Sequence, residues 1–334
     1  MIYTVASQSY IGGRARNEDR VAVAARDGAV LLVVADGLGG HEGGDIASQA
    51  LVDAMVQSFD RTPAEQLADP AAFLQLAIGY SHSVIRRRAT ENKLPPHVPK
   101  TTCVACLISN GVAHWAHAGD SRLYLYRDGR MAYRTEDHSG DPASGVETNA
   151  ISRCVGGHAR PIATIGPKVQ LEDNDMILLC SDGAWRNIES ADVMKHIVPE
   201  QPQNGLDSLL RSLELRNKEP SDNLSAVALC WGADYASSGE KKEHQLDLLA
   251  SSAPTVVSST STSSTKGTTD HSVPIEENSA SENIKPMQDE LERVAAKLDK
   301  PSAAQSGDKP GKSEDFNSMI EELENFVEKL DKSL

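Results

Sequence analysis

The chain has 334 residues, a formal net charge of −15 and only 4% aromatic residues. That length accommodates one large domain plus additional material, and any core must be mostly aliphatic. The acidic balance argues against a nucleic-acid partner, no uninterrupted apolar run reaches membrane-spanning length, and five cysteines, an odd number, predict reduced thiols and a cytoplasmic location.

The opening "MIYTVASQSYIGGRARNEDR" lacks the basic start, apolar run and cleavage site of a secretory leader. Residues 28–36, 101–109, 111–119, 122–129, 175–182 and 224–231 are apolar runs of strand length. Residues 43–59 and 70–89 carry the spacing of amphipathic helices. "SNG" and "RDG" between strand-like runs are hairpin turns, which makes several strands antiparallel. The "RRR" at 86–88 reads as a solvated helix end. Together these elements predict α+β layers over about the first 234 residues rather than a regular βαβ succession.

Beyond that point the composition changes. Residues 235–285 are rich in Ser and Thr with little to bury, which predicts a disordered linker. Residues 286–334 form a tail with a repeat: "MQDELERVAAKLDK" (287–300) and "MIEELENFVEKLDK" (319–332) lie 32 residues apart. Met287, Leu291, Val294 and Leu298 make one apolar stripe on a helix, as do Met319, Leu323, Phe326 and Leu330. Isolated helices this short are marginal in water, so the copies fold against each other, against the main domain, or against a docking partner.

The strand ends carry the chemistry. Asp36 ends "LLVVAD", Asp120 ends "WAHAGD", Asp182 ends "ILLCSD", and Asp222 precedes "NLSAVALCW". Glu18 and Asp19 lie in "RNED". Carboxylates near a core repel one another unless a cation neutralises them, and hard oxygen donors suit Mg²⁺ or Mn²⁺. Two such ions acidify a shared water and clamp a phosphoryl group. Gly37 after Asp36 allows a sharp turn that brings its carbonyl to the same point.

Other readings fail on chemistry. "GLGGHEG" has Glu42 where a dinucleotide-binding loop needs its third glycine. "CSDGAWR" has Cys-x5-Arg spacing, but Asp182 would sit inside the anion loop and Cys180 has no activating base. "CVAC" continues a strand and has no second pair for zinc.

The segments "RARNED" (14–19), "ADGLGGHEGG" (35–44), "TTCVACL" (101–107), "AGDSRLYLYRDG" (118–129), "TEDHS" (135–139), "NAISRCVGG" (149–157), "LLCSDGAW" (178–185) and "SDNLSAVAL" (221–229) occur in this order. With them the chain resembles the bacterial metal-dependent protein phosphatases of the protein phosphatase 2C type, over roughly residues 1–232. The resemblance implies a β-sandwich of two antiparallel sheets flanked by helices. It also implies hydrolysis of phosphoserine and phosphothreonine in proteins, with Mg²⁺ or Mn²⁺ as cofactor. Carried over by position, Asp36, Asp182 and Asp222 hold one ion, and Glu18, Asp36 and the Gly37 carbonyl hold a second. Asp120 with Asp182 holds the third, weaker ion of many members. Arg14 grips the phosphate, Asp19 and Asn223 orient waters or ligands, and His41 is the candidate acid for the leaving oxygen. Two departures stand out: Lys100 precedes the paired threonines where the family usually has glycine, and the interval 140–148, where bacterial members place a mobile flap, is short. The shortened interval predicts a more open cleft and altered substrate selection or an altered third-ion site, with the two-ion core retained.

The expected function is therefore a phosphoprotein phosphatase opposing a Ser/Thr kinase, its tail docking a partner or substrate. The alternatives are a phosphoprotein-binding pseudo-phosphatase, which the intact carboxylate set disfavours, and a small-molecule phosphohydrolase.

Overall fold

A computed structural model describes residues 2–26, 28–38, 43–141, 146–216, 221–232 and 255–258. The repeats at 287–300 and 319–332 lie outside the described residues. The chain divides into two compact units, Met1–Thr262 and Ser263–Leu334, and all described residues belong to the first.

Strands β1 (Tyr3–Tyr10), β2 (Asp19–Arg26) and β3 (Ala29–Asp36) lead into helix α1 (Gly44–Arg61) and, after a 3-10 turn at Ala64–Ala68, helix α2 (Pro70–Glu91). Asp69 caps α2 by accepting from the Ala72 N–H, and Pro70 fills the first turn. Then come β4 (Lys100–Thr101), β5 (Cys103–Ser109), β6 (Val112–Ala118), β7 (Arg122–Arg127) and β8 (Arg130–Arg134). The hairpin β9 (Ser139–Asp141) and β10 (Val146–Ile151) occupies the short interval noted above. Short strands β11 (Val155–Gly156), β12 (Thr164–Ile165) and β13 (Val169–Gln170) precede β14 (Met176–Cys180). Helices α3 (Asp182–Trp185), α4 (Ser190–His196) and α5 (Pro202–Arg216), strand β15 (Leu224–Trp231) and strand β16 (Thr255–Ser258) complete the list.

Two sheets result. One runs β1-β15-β14-β7-β8; the other runs β12-β6-β5-β3-β2-β16, with β13 also on β6. All pairings are antiparallel except β16 on β2. The turns β5–β6 and β7–β8 have positive φ at both central residues, Asn110-Gly111 and Asp128-Gly129, the twist that a tight hairpin needs.

Three apolar layers hold the described residues of the first unit in an α-β-β-α stack. Leu31 and Val33 face α1 and α2, with Leu51, Met55, Phe59 and Ile78. Leu32 and Val34, on the other side of β3, meet Leu123, Leu179 and Val227 of the second sheet. Burial on both faces explains why β3 reads as an unbroken apolar run. Leu206, Leu209, Leu210 and Leu213 of α5 cover the outer face of the second sheet.

Within the stretch 235–285, expected to be a disordered linker, only residues 255–258 are among the described ones; they form β16 and pair in register with Ala22–Ala25. Thr-Val-Val is β-branched and suited to a strand even within a Ser/Thr-rich tract. Of the triple arginine at the end of α2, Arg86 donates to the Gly157 carbonyl at 2.7 Å, while Arg87 and Arg88 are solvent-exposed and pair at the surface with Glu91 and Asp53.

Candidate metal centre and phosphate cleft

The strand ends converge. A cleft of about 380 Å³ is lined by Arg14 and Arg16 from the β1–β2 loop, Glu18 ahead of β2, Asp36, Gly37 and Leu38 at the end of β3, Ile151, Asp182, Asp222 and Asn223. Four of its carboxylates come from chain positions up to about two hundred residues apart, because antiparallel pairing returns each strand to the same end of the sandwich.

Asp36, Gly37 and Glu18 are held through their backbones. Thr102 N–H donates to the Asp36 carbonyl at 2.8 Å, Thr101 Oγ1 donates to the same oxygen at 2.9 Å, and Asp36 N–H donates to Thr102 Oγ1 at 3.0 Å. The paired threonines thus clamp the end of β3. Gly37 N–H donates to the Glu18 carbonyl at 3.1 Å, and Glu18 N–H donates to Asn223 Oδ1 at 2.8 Å. Asn223 Nδ2 donates in turn to the carbonyls of Ile11 and Arg16. A Cβ on Gly37 would lie 2.5 Å from the Gly44 carbonyl oxygen, and one on Gly44 would lie 2.4 Å from Glu18 Oε2. At Gly37 the clash is with backbone and only glycine fits, whereas at Gly44 it is with the movable Glu18 carboxylate.

Asp19 is buried beside the cleft. Its carboxylate accepts from Ser181 Oγ at 2.7 Å, while Ser181 Oγ accepts from the Ser225 N–H at 3.1 Å. Ser225 Oγ shares a 2.7 Å bond with Ser9 Oγ, which accepts from Asn17 Nδ2. Asp120, 8% exposed, is tied through its carbonyl to Trp185 Nε1 at 2.8 Å. The Arg122 guanidinium covers the Trp185 ring at 3.3 Å and grips Asp137 with two 2.7 Å bonds.

The electrostatics are those of carboxylates crowded together. Burial, then the neighbouring carboxylates Asp182 and Asp222, pushes Asp19 up to about 7 despite its hydroxyl partners. Burial and Asp182 push Asp120 up to about 6. Asp36 is raised well above its ordinary value by burial and by Asp19, Asp182 and Asp120; Glu18 is raised by burial and Asp45. At the rim, Arg14 Nη2 meets Asp222 Oδ2 and Arg186 Nη2 meets Asp182 Oδ2, both at 2.7 Å.

The residues fit a divalent cation. Asp120 Oδ1 is buried and, among the described residues, without a hydrogen-bond partner, an acceptor in want of a positive charge. Among the described residues no three His, Cys, Asp or Glu side chains close on one point as a finished metal shell. Asp36 and Asp182 come within hydrogen-bonding reach of each other, while Arg14 and Arg186 engage Asp222 and Asp182 from the rim.

Of the residues singled out from sequence, Arg14, Glu18, Asp36, Gly37, Asp182, Asp222 and Asn223 line the cleft, and Asp19 and Asp120 lie behind it. His41 lies outside the described residues. Thr101, Thr102, Ser181, Ser225, Trp185 and the Arg122–Asp137 pair were not singled out. The cysteine readings end here: burial raises the Cys180 thiol to about 12, and Cys103 and Cys106 face different apolar layers on opposite sides of β5.

This α-β-β-α sandwich with its acidic cleft has a known class. Residues 8–214 match the family model for protein phosphatase 2C, and the chain belongs to that family. It is 31% identical over 231 residues to the serine/threonine protein phosphatase PstP of Mycobacterium tuberculosis, covering 64% of this chain and 42% of that protein. It is 29% identical over 195 residues to the serine/threonine phosphatase stp of Listeria innocua, covering 54% of this chain and 77% of that protein. Among solved structures, the catalytic domain of PstP in complex with two manganese ions superposes with a TM-score of 0.54 at 29% identity, over 68% of this chain and 97% of that one. The match thus spans less than half the length of the mycobacterial relative.

Proposed function

We propose that this chain is a metal-dependent protein phosphatase that hydrolyses phosphoserine and phosphothreonine. The observation that carries the reading is the meeting of Glu18, Asp36, Asp182 and Asp222 in one cleft with an arginine at its rim. Asp36, Asp182 and Asp222 are the residues to hold one Mg²⁺ or Mn²⁺. Glu18, Asp36 and the Gly37 carbonyl hold a second, and Asp120 with Asp182 a third. When bound, such ions supply Lewis-acid charge to the phosphate and acidify the attacking water.

The protein's own groups do the rest. Arg14, exposed and placed at the cleft rim, presents a planar fork that matches phosphate oxygens. Asn223 fixes Glu18 and the Arg14–Arg16 loop at once, so phosphate grip and metal ligands keep a set spacing. Asp19 and its hydroxyl partners form the polar wall behind them. His41 is assigned the proton donated to the leaving serine or threonine oxygen. The substrates are phosphoproteins made by a Ser/Thr kinase, in the cytoplasm. The tail repeats act as two docking helices for one partner, in which case deleting one copy weakens capture far more than twofold.

The test is phosphate release from a phosphothreonine protein with Mn²⁺, using the full chain. The reading requires loss of turnover with chelator and with Asp36→Asn. Turnover that persists in both rejects it, and cleavage of p-nitrophenyl phosphate alone favours a small-molecule phosphohydrolase.

A further inference from the structure

Two guanidiniums line the cleft from the same short loop, and they are not equivalent. Arg14 is engaged by Asp222 at 2.7 Å. Arg16 lines the same cleft, is exposed, and its guanidinium makes no hydrogen bond or ion pair with any described residue. Its backbone, by contrast, is fixed. Asn223 Nδ2 donates to the Arg16 carbonyl at 3.0 Å and to the Ile11 carbonyl at 2.8 Å, and the Gly13 N–H donates to the Ser221 carbonyl at 2.9 Å. A Cβ on Gly12 would lie 2.2 Å from the Asp222 carbonyl, so the loop is packed tightly against the Ser221–Asn223 turn. The result is a guanidinium that no described residue holds by a hydrogen bond or ion pair, its charge felt at Glu18 only through space, on an anchored stem two residues from Arg14. Leu38 and Ile151 also line the cleft and supply apolar surface.

We infer that Arg16 reads a second anionic group next to the phosphorylated residue, and that the preferred substrates carry a carboxylate or a second phosphate there. This rests on the phosphatase reading above. A guanidinium tied into a permanent ion pair could not serve; one left unpaired beside a substrate cleft carries an unspent charge-assisted contact. Because the loop is anchored, less ordering entropy opposes that contact than for a lysine or arginine on a mobile tip.

The experiment compares phosphate release by the full-length chain with Mn²⁺ from four synthetic phosphothreonine peptides, with neutral, Glu, Lys or second-phosphothreonine neighbours. Wild type should prefer the Glu-flanked peptide over the neutral one by about tenfold in kcat/KM, the size of one contact to a charged group. The doubly phosphorylated peptide tells whether phosphate or carboxylate is read better. Arg16→Ala should erase the preference, and Arg16→Glu should turn it toward the Lys-flanked peptide, a gain that misfolding cannot imitate. Equal release from all four by wild type, or a preference that survives Arg16→Ala, overturns the assignment while leaving the phosphatase reading intact. Release from none overturns both.

Discussion

The Ser181 hydroxyl donates to the Asp19 carboxylate over 2.7 Å, joining the end of β14 to the start of β2 directly behind the cleft. Ser181 Oγ also accepts from the Ser225 N–H, so one hydroxyl serves three strands' ends. Ser181→Ala removes the donor to a buried acid and leaves the Ser225 N–H unpaired. It should cost about 1–3 kcal/mol, read as a lower midpoint in urea. Asp19→Asn has the opposite sign in metal-free protein at pH 8: it deletes a buried charge and should raise the melting temperature while weakening Mn²⁺ binding.

Stability of the metal-free protein should fall as pH rises from about 4 to about 7. Asp19 and Asp120 have ordinary values of 3.8 but stand at about 7 and about 6 in the fold. A carboxyl that holds its proton more tightly when folded contributes fully below the unfolded pKa, and that contribution is lost as pH passes the folded value. Calorimetry with chelator at pH 5 and pH 8 should show a drop on the order of 5–10 °C. Saturating Mn²⁺ should flatten the curve, since the cation takes over the neutralising role of the proton.

Gly44→Ala sets two effects against each other. Alanine gains about 1 kcal/mol of helix propensity in the first turn of α1. Its methyl, however, would sit 2.4 Å from Glu18 Oε2. The acid at the end of a side chain can swing aside, so the melting temperature should change little while Mn²⁺ affinity drops severalfold. Unchanged affinity in a titration would show that Glu18 is not held where the cleft places it.

Trp185→Phe should separate stacking from hydrogen bonding. Phenylalanine retains a ring under Arg122 but cannot donate to the Asp120 carbonyl. A loss of about 1 kcal/mol in stability is expected and, if Asp120 holds the proposed third ion, a shift in the Mn²⁺ dependence of phosphate release at high metal.

The parts of this fold that are legible in sequence are those buried on both faces. β3, β5 and β14 stand out as runs such as "LLVVA" and "MILLC" because each side chain meets a core. The acids closing them stand out by contrast. β1 and β2 do not: "YTVASQSY" and "DRVAVAAR" mix polar and small residues, and the sheet pairing decides them. Leu206, Leu209, Leu210 and Leu213 carried the helical spacing of α5 openly, and a scan by period finds it.

The site divides along the same line. Metal-type ligands are conspicuous because charge at a strand end is costly. Their supports are ordinary by type: Thr101, Thr102, Ser181 and Ser225 are hydroxyls in strands or at their ends, and only the pairing of β2, β5, β14 and β15 shows what they hold. Arg122 and Asp137 are fifteen positions apart and meet because the β7–β8 hairpin turns the chain back.

One postulate underlies all of this: scattered acids fold into a single place because a doubly charged ion belongs among them. Calorimetric titration of the full-length chain with Mn²⁺ addresses it directly, with Asp36→Asn and Asp182→Asn alongside. Saturable binding by the wild type, lost or strongly weakened in both variants, is the predicted result; no heat of binding, or identical isotherms for all three proteins, would contradict it.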